Sequence, residues 1–392
     1  MNWSRFADEI TSWITKRYDT CGGFHFWSEG EVTLKGTSFA VFTLSLVDRL
    51  DDFPHRRQIT EFLLSHQQAE TGDFIESHSL QAHPPFSIKY IQDQINMFVL
   101  DALRMLGAKP LHQMSRLQTE LKELDPAQFL AAMDWSNCWY TSNPVMFMLS
   151  FTDHLTTWLG PDEEMDQLHR RLLAALLNRQ DQASGFWGPN HGADWYNSLY
   201  GSFHFLSYFL YRGVKMSGLP AMGRRTLKLQ SSEGFFVLSP GGGACEDFDG
   251  IDLLVKASRR DGLTEPVRSA LQKAALALMG SRNEDGGFPW ARTRKEISFR
   301  NVIFPIRNLR RAGGLIPGLR LVARNWLQLC CGSRNWHYSG LDFISVPYNE
   351  SDLWSTYFRV LGLAAIDQIE PIFEHADWQF RDFPGMGWQE KT

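Results

Sequence analysis

A beat near fifty residues constrains this chain more than any other feature. Short aromatic stretches, most of them next to glycine, recur with their leading rings at Phe24, Phe74, Trp135, Phe186, Phe235, Phe288 and Trp336. The gaps between them are 50, 61, 51, 49, 53 and 48 residues. Between these joints the apolar residues fall at helical spacing, as with Trp3, Phe6, Ile10, Trp13 and Ile14 in residues 3–17. A unit of about two helices and one turn is a helical-hairpin repeat. Such a hairpin cannot bury both faces alone, so stacked neighbours share a core. About six hairpins supply about twelve helices, enough to close a ring with inner and outer layers. No strand-rich segment competes with this reading. The period predicts an all-α fold: an (α/α)6 toroid of about six hairpin repeats, forming a single domain over residues 1–392.

One stretch stands apart from the joints, Gly241-Gly242-Gly243-Ala244-Cys245-Glu246-Asp247-Phe248-Asp249-Gly250-Ile251-Asp252. Glu246, Asp247, Asp249 and Asp252 precede and overlap an apolar helical run at Ile251, Leu254 and Val255, which places the acids at a helix entrance. Crowded carboxylates favour keeping one proton at neutral pH, and a held proton is what a general acid needs. Capping is the competing reading. Asp is a preferred N-cap, Asp249 and Asp252 have the spacing of a capping box, and acids in a first turn suit the helix dipole.

Composition narrows the partners. The 28 Phe, 14 Trp and 10 Tyr suit aromatic repeat joints or an aromatic-lined cavity. A net charge of −5 argues against nucleic acid. The five scattered cysteines read as reduced thiols of a cytoplasmic protein. The N-terminus lacks the pattern of a signal peptide, and no apolar run is long enough for a spanning helix. Residues 292–325 carry nine basic residues against one acid, with interleaved apolar positions. That segment suits peripheral contact with an anionic membrane or a grip on a phosphate, or else a solvated face.

The joints at Gln67…Gly72-Asp73-Phe74, Arg179-Gln180…Gly185-Phe186-Trp187 and Asn283-Glu284-Asp285-Gly286-Gly287-Phe288-Pro289-Trp290 resemble the repeats of the terpenoid cyclase and protein prenyltransferase superfamily. That resemblance implies an (α/α)6 barrel around an apolar cavity. Class II terpene cyclases carry an Asp-x-Asp-Asp motif whose middle Asp protonates an alkene or epoxide. Asp247-Phe248-Asp249-Gly250 matches its first three positions, which implies Asp249 as the acid, with Asp247 and Asp252 tuning it. Gly250 departs from the family's last Asp. The chain is also shorter than the two-barrel cyclases, which implies a single-barrel relative. Trp135, Trp139, Trp187, Trp195, Tyr200, His204, Trp290 and Trp354 are the expected walls for a small apolar or amphipathic substrate.

No cofactor is expected. Prenyltransferase β subunits hold zinc with Asp, Cys and His, and the matching alternative here is Cys245 and Asp247 with His204 or His337. Cys330-Cys331-Gly332…His337 faintly resembles lanthionine cyclases, with buried thiols as the plainer reading. His204 shares a helix face with Tyr200 and Tyr208, as a base or relay or as a bonded core histidine. Two further functions stay open: a carbohydrate-active (α/α)6 enzyme (hydrolase, lyase or epimerase) pairing Asp249 with Glu350 or Asp352, and a non-catalytic toroid that binds a lipid or protein.

Overall fold

The computed structural model describes residues 1–76, 86–160, 162–189, 194–292, 316, 319, 320, 323, 335–338 and 341–390, with the backbone alone at 342 and 343. His78, His83, Pro84, Pro85, Cys330, Cys331, most of residues 317–330, where apolar spacing suits a helix, and most of the basic segment lie outside the described residues. The helices begin with α1 (Trp3–Thr15), α2 (Leu34–Leu46), α3 (Arg56–Ser65), α4 (Ile88–Met105), α5 (Ser115–Glu123), α6 (Pro126–Ala131) and α7 (Cys138–Leu159). They continue with α8 (Glu163–Leu177), α9 (Asp194–Tyr211), α10 (Leu219–Leu229), α11 (Ala244–Asp261), α12 (Glu265–Gly280) and α13 (Leu353–Asp367).

Two kinds of helix alternate. Helix α1 buries one stripe, Trp3, Phe6, Ile10, Trp13 and Ile14, as its spacing predicts. Helices α3, α8 and α10 are amphipathic in the same way. Helices α2, α4, α9, α11 and α13, and α7 over most of its length, are buried nearly all round, which demands neighbours on every side. These six pack in succession, α2 on α4, then α7, α9 and α11, and α13 packs back on α2. The amphipathic helices pack outside them, α8 on α7, α10 on α11 and α12 on α13.

The joints obey one local rule. At Gly22, Gly72, Gly185, Gly234 and Gly286 the backbone turns through positive φ. A Cβ at Gly72 or Gly185 would also lie 2.2 Å from a carbonyl oxygen of the next segment, of Gln113 and of Gly218 respectively, so only glycine fits. A preceding side chain holds the turn: Gln67, Gln180 and Gln230 each donate Nε2 to the glycine carbonyl five or four residues on, at 2.9, 2.7 and 3.0 Å. Two residues past the glycine, an aromatic donates its backbone N–H to a side chain of a buried helix. The pairs are Phe24 to Thr37, Phe74 to Asn96, Trp187 to Ser202, Phe236 to Asp247 and Phe288 to Thr356, at 2.7–3.1 Å. Each bond ties a joint to a buried helix.

Replacing Thr37 by the isosteric Val leaves the Phe24 N–H unpaired without opening a cavity. The expected loss is about 1–3 kcal/mol in denaturant unfolding, against little change for an exposed Thr→Val control such as Thr119.

The expectation of a purely helical chain needs correcting at two places. Strands β1 (Phe24–His25) and β2 (Val32–Thr33) form one antiparallel ribbon, and β3 (Asn335–Tyr338) and β4 (Leu341–Pro347) another. Asn335–Tyr338 is therefore not a repeat joint. Its residues alternate, with Trp336 and Tyr338 buried against Phe26 while His337 is exposed. Trp135 is not a glycine joint either: it opens a single 3-10 turn, Trp135–Asn137, that leads into α7.

Beyond α13 the chain crosses one end of the ring. Arg381 reaches Asp101 on α4 at 2.6 Å, and Gln389 reaches Asp252 on α11 at 2.5 Å. Between them the carbonyl of Met386 accepts the Tyr357 hydroxyl at 3.1 Å.

Candidate active site

The buried helices surround a cavity of about 550 Å³. Its wall takes Tyr90, Gln94 and Phe98 from α4, Trp139, Asn143 and Met146 from α7, and Phe203 and His204 from α9. Helix α11 adds Cys245 and Asp249, and α13 adds Trp354 and Phe358. The β3–β4 ribbon contributes Trp336, His337 and Tyr338, and the C-terminal crossing supplies Met386. Aromatic faces dominate and interlock. Tyr338 meets Trp354 edge-on at 4.7 Å, Trp354 lies 4.8 Å from Phe358, and Trp290 stacks on Trp336 at 4.8 Å.

Asp249 is the single carboxylate among the described lining residues. It sits in the second turn of α11, which starts at Ala244, so it neither caps nor boxes the helix as the capping reading expects. It is 2% exposed, and its Oδ1 has no hydrogen-bond partner among the described residues. Burial first, then the charges of Glu246, Asp252 and Asp247, hold its carboxyl well above the usual carboxylate range. The protonated form is thereby favoured, and the group faces a chamber walled mostly by aromatic rings.

Its two acidic neighbours are occupied elsewhere. Asp247 accepts the backbone N–H groups of Phe236 and Gly243 and pairs with Arg359 at 2.6 Å. Burial pushes that carboxyl up, and the guanidinium and the two N–H groups pull it back. Asp247 is thus the joint-holding side chain of its own repeat, the counterpart of Thr37 and Ser202. Asp252 pairs with Lys256 at 2.5 Å and accepts from Gln389, with burial again opposed by these partners. Neither Asp247 nor Asp252 lines the cavity, so both act on Asp249 through charge and not through contact.

Breaking the buried Arg359–Asp247 pair from one side leaves an uncompensated charge. Arg359→Leu is expected to cost about 3–5 kcal/mol in unfolding free energy, and pairing it with Asp247→Asn recovers part of that loss.

The eight expected lining residues divide evenly. Trp139, His204, Trp290 and Trp354 line the cavity. The other four lie off it. Trp187 is sealed in the joint and donates Nε1 to the Leu176 carbonyl at 2.8 Å. Trp135 and Trp195 lie under the guanidinium groups of Arg179 and Arg225. Tyr200 turns its hydroxyl to the Phe236 carbonyl. In the zinc reading, Asp247 is committed to Arg359, and among the described residues no three His, Cys, Asp or Glu side chains cluster for a metal. Nor does a second carboxylate meet Asp249. Asp352 caps α13 through Ser355, with burial pushing it up to about 7, and Glu350 is exposed.

Several lining residues escaped the sequence reading. Tyr90, Gln94 and Phe98 fall at i, i+4 and i+8 on α4, a stripe that looks like ordinary core. The alternation of Trp336 and Tyr338 was the available signal for a strand with one aromatic face. Met386 carries no local signal, because a distant crossing brings it to the cavity.

Among the described residues no helix is long and apolar enough to cross a membrane. No protein-family model matches the sequence, and no curated protein does. Solved structures match at the level of fold. A variant of the type II terpene cyclase MstE from Scytonema, solved with geranylgeranyl dihydroxybenzoate as substrate, has a TM-score of 0.56 and 13% identity, over 93% of this chain and 97% of that one. The unliganded MstE gives 0.54 and 12% over 94% and 99%. A polysaccharide lyase gives 0.51 and 10% over 95% and 99%. The chain therefore has a mostly helical toroid fold of the kind found in type II terpene cyclases, which a polysaccharide lyase shares.

Proposed function

We propose that the protein is a class II terpene cyclase-like enzyme in which Asp249 protonates an alkene or epoxide of an isoprenoid substrate, and that its six buried helices are the inner layer of an (α/α)6 toroid. One observation carries this reading: a lone, desolvated carboxyl with a strongly raised pKa lines a chamber whose other walls are mostly aromatic. Adding a proton to carbon creates a cation that water would capture, so the chemistry needs a dry cavity. It also needs negative faces near the developing charge, and Trp354, Phe358, Tyr338 and Trp336 offer ring faces of that kind. The cavity volume lies in the range of small-molecule sites. The substrate solved in the MstE complex, a prenyl chain on an aromatic acid, is the amphipathic type that such a chamber would take.

The carbohydrate reading has less support. Acid–base glycosidases use two carboxyl groups across the scissile bond, and Asp249 has no carboxylate partner among the described lining residues. A non-catalytic toroid, for its part, gives no reason to hold one acid unbonded at a cavity.

The test is incubation of purified protein with all-trans polyprenyl alcohols, their terminal epoxides and geranylgeranyl dihydroxybenzoate, followed by mass spectrometry and NMR of the products. The expected product has the mass of its substrate, with fewer alkene protons and new ring carbons. Recovery of every substrate unchanged sinks the proposal.

A further inference from the structure

A cyclisation begun by a proton must end by losing one, and the cavity contains one group whose hydrogen bonds leave it ready to accept it. Ser142, on α7, has a single hydroxyl hydrogen and two close neighbours. Its Oγ lies 2.8 Å from the Trp139 carbonyl and 2.7 Å from His204 Nδ1. With the Ser142 hydrogen given to the Trp139 carbonyl, which Asn143 Nδ2 also reaches at 2.9 Å, Ser142 Oγ is left to accept. The contact with His204 then needs its hydrogen from the ring, which puts the proton on Nδ1 and leaves the lone pair on Nε2. With Nδ1 turned to Ser142, the edge His204 presents to the cavity is the one carrying Nε2.

The same arrangement occurs a second time, away from the cavity. Thr152 donates to the Leu149 carbonyl at 2.8 Å and meets His169 Nδ1 at 2.7 Å. There the ring is 1% exposed and its Nε2 is buried without a partner, whereas His204 is 8% exposed and lines the cavity. The hydroxyl–imidazole pair thus occurs twice in this fold, and in one instance it opens on the chamber.

Resting on the cyclase reading above, we infer that His204 is the base that ends the reaction, taking through Nε2 the proton lost from carbon beside the final cation. The electrons balance. Asp249 gives its proton to the first alkene carbon, and successive alkene electron pairs form the ring bonds. The C–H pair next to the last cationic carbon becomes the new double bond as its proton passes to Nε2. The imidazolium gives that proton up and Asp249 regains one after the product has left and solvent enters the cavity, so the overall change is an isomerisation. Burial pulls the His204 imidazole down to about 3 while Asp249 is held far above its usual range, so the return runs downhill. A weak base suffices here, because a C–H beside a carbocation is a very strong acid. Acid and base stand on adjacent buried helices, where Phe203 and Phe248, their chain neighbours, meet edge to face at 5.3 Å.

His204→Asn is the informative variant, since its Nδ2 takes the place of Nδ1 and keeps the bond to Ser142 while Nε2 is lost. With a substrate the wild type cyclises, this variant is expected to go on consuming it, at a lower rate because the base no longer carries the last proton away. Its main alkene should fall to about a tenth of product, replaced by alkene isomers and alcohols one water heavier. His169→Asn should leave the product ratio unchanged. Nitrogen-15 NMR of the free protein is expected to place the His204 proton on Nδ1, and a proton on Nε2 overturns the assignment. An unchanged product ratio in His204→Asn overturns it too, as does complete loss of consumption in a folded variant, which would put His204 at an earlier step. If the wild type cyclises nothing, the cyclase reading itself falls and takes the base with it.

Discussion

Asp249→Asn abolishes cyclisation, with an expected loss of at least about 10³-fold in kcat/KM, while binding of the unreacted isoprenoid changes by less than about threefold. The asymmetry follows from the geometry. Asn has nearly the shape of a protonated Asp, and the apolar walls that bind the chain are untouched, but an amide has no proton to give. No other described carboxyl lines the cavity, so no bystander takes over. Turnover at a tenth of the wild-type rate would show that the acid lies elsewhere. The same variant has a thermodynamic signature. The carboxyl of Asp249 is raised in the folded state, so the stability associated with its proton is complete below the unfolded pKa and declines as pH rises towards the folded value. Asn carries no such charge. Asp249→Asn should therefore raise Tm at neutral pH, and raise it more at pH 8 than at pH 6. The wild type, in turn, should lose activity as pH climbs through the Asp249 pKa.

What the sequence made legible, and what it hid, follows from the range of the contacts involved. The repeat was readable because each joint is local: Gln180 and Gly185, five apart, hold one another, and Gly72 and Gly185 tolerate no side chain. The rings at Trp135 and Trp336 fell on the beat, yet neither follows a left-handed glycine, and they open a 3-10 turn and lie on a strand. The acidic stretch that holds Asp249 was readable as a helix entrance. The division of labour around Asp249 was only partly readable: Lys256 lies four residues from Asp252, but Arg359 and Gln389, the other side chains that occupy Asp247 and Asp252, are more than a hundred residues away. His204 was visible as part of a polar stripe. Its tautomer depends on Ser142, 62 residues earlier on a neighbouring helix. Trp187 and Tyr200 looked like cavity walls because an aromatic at a joint and one at a cavity have the same local pattern, and only the partners of their polar atoms separate them.

Gly250→Asp, which completes the Asp-x-Asp-Asp pattern, is expected to unfold the site and not to activate it. Gly250 is buried on α11, and a Cβ there would lie 2.2 Å from Phe236 Cγ and 2.5 Å from its Cδ1. Phe236 has little room to yield, because its backbone N–H is the one that Asp247 accepts in the joint. The new carboxylate would also enter a buried neighbourhood already crowded by Glu246, Asp247, Asp249 and Asp252. Overpacking together with an unpaired buried charge predicts a loss of about 3–5 kcal/mol, or a fall in Tm of about 4–6 °C for a chain of this length. Gly250→Ala isolates the steric part, at about 1–3 kcal/mol. The two contributions separate further with Phe236→Ala, which opens the space: the Gly250→Ala, Phe236→Ala double variant should be more stable than the sum of the singles by about 1–3 kcal/mol, because each change removes the other's fault. A Gly250→Asp protein with unchanged Tm and higher turnover would mean that the backbone shifts to admit an acid at position 250 and that the full Asp-x-Asp-Asp pattern fits this chain. The contact with Phe236 argues the reverse. Position 250 is a packing position in this protein, and burial, then the charges of Glu246, Asp252 and Asp247, raise Asp249.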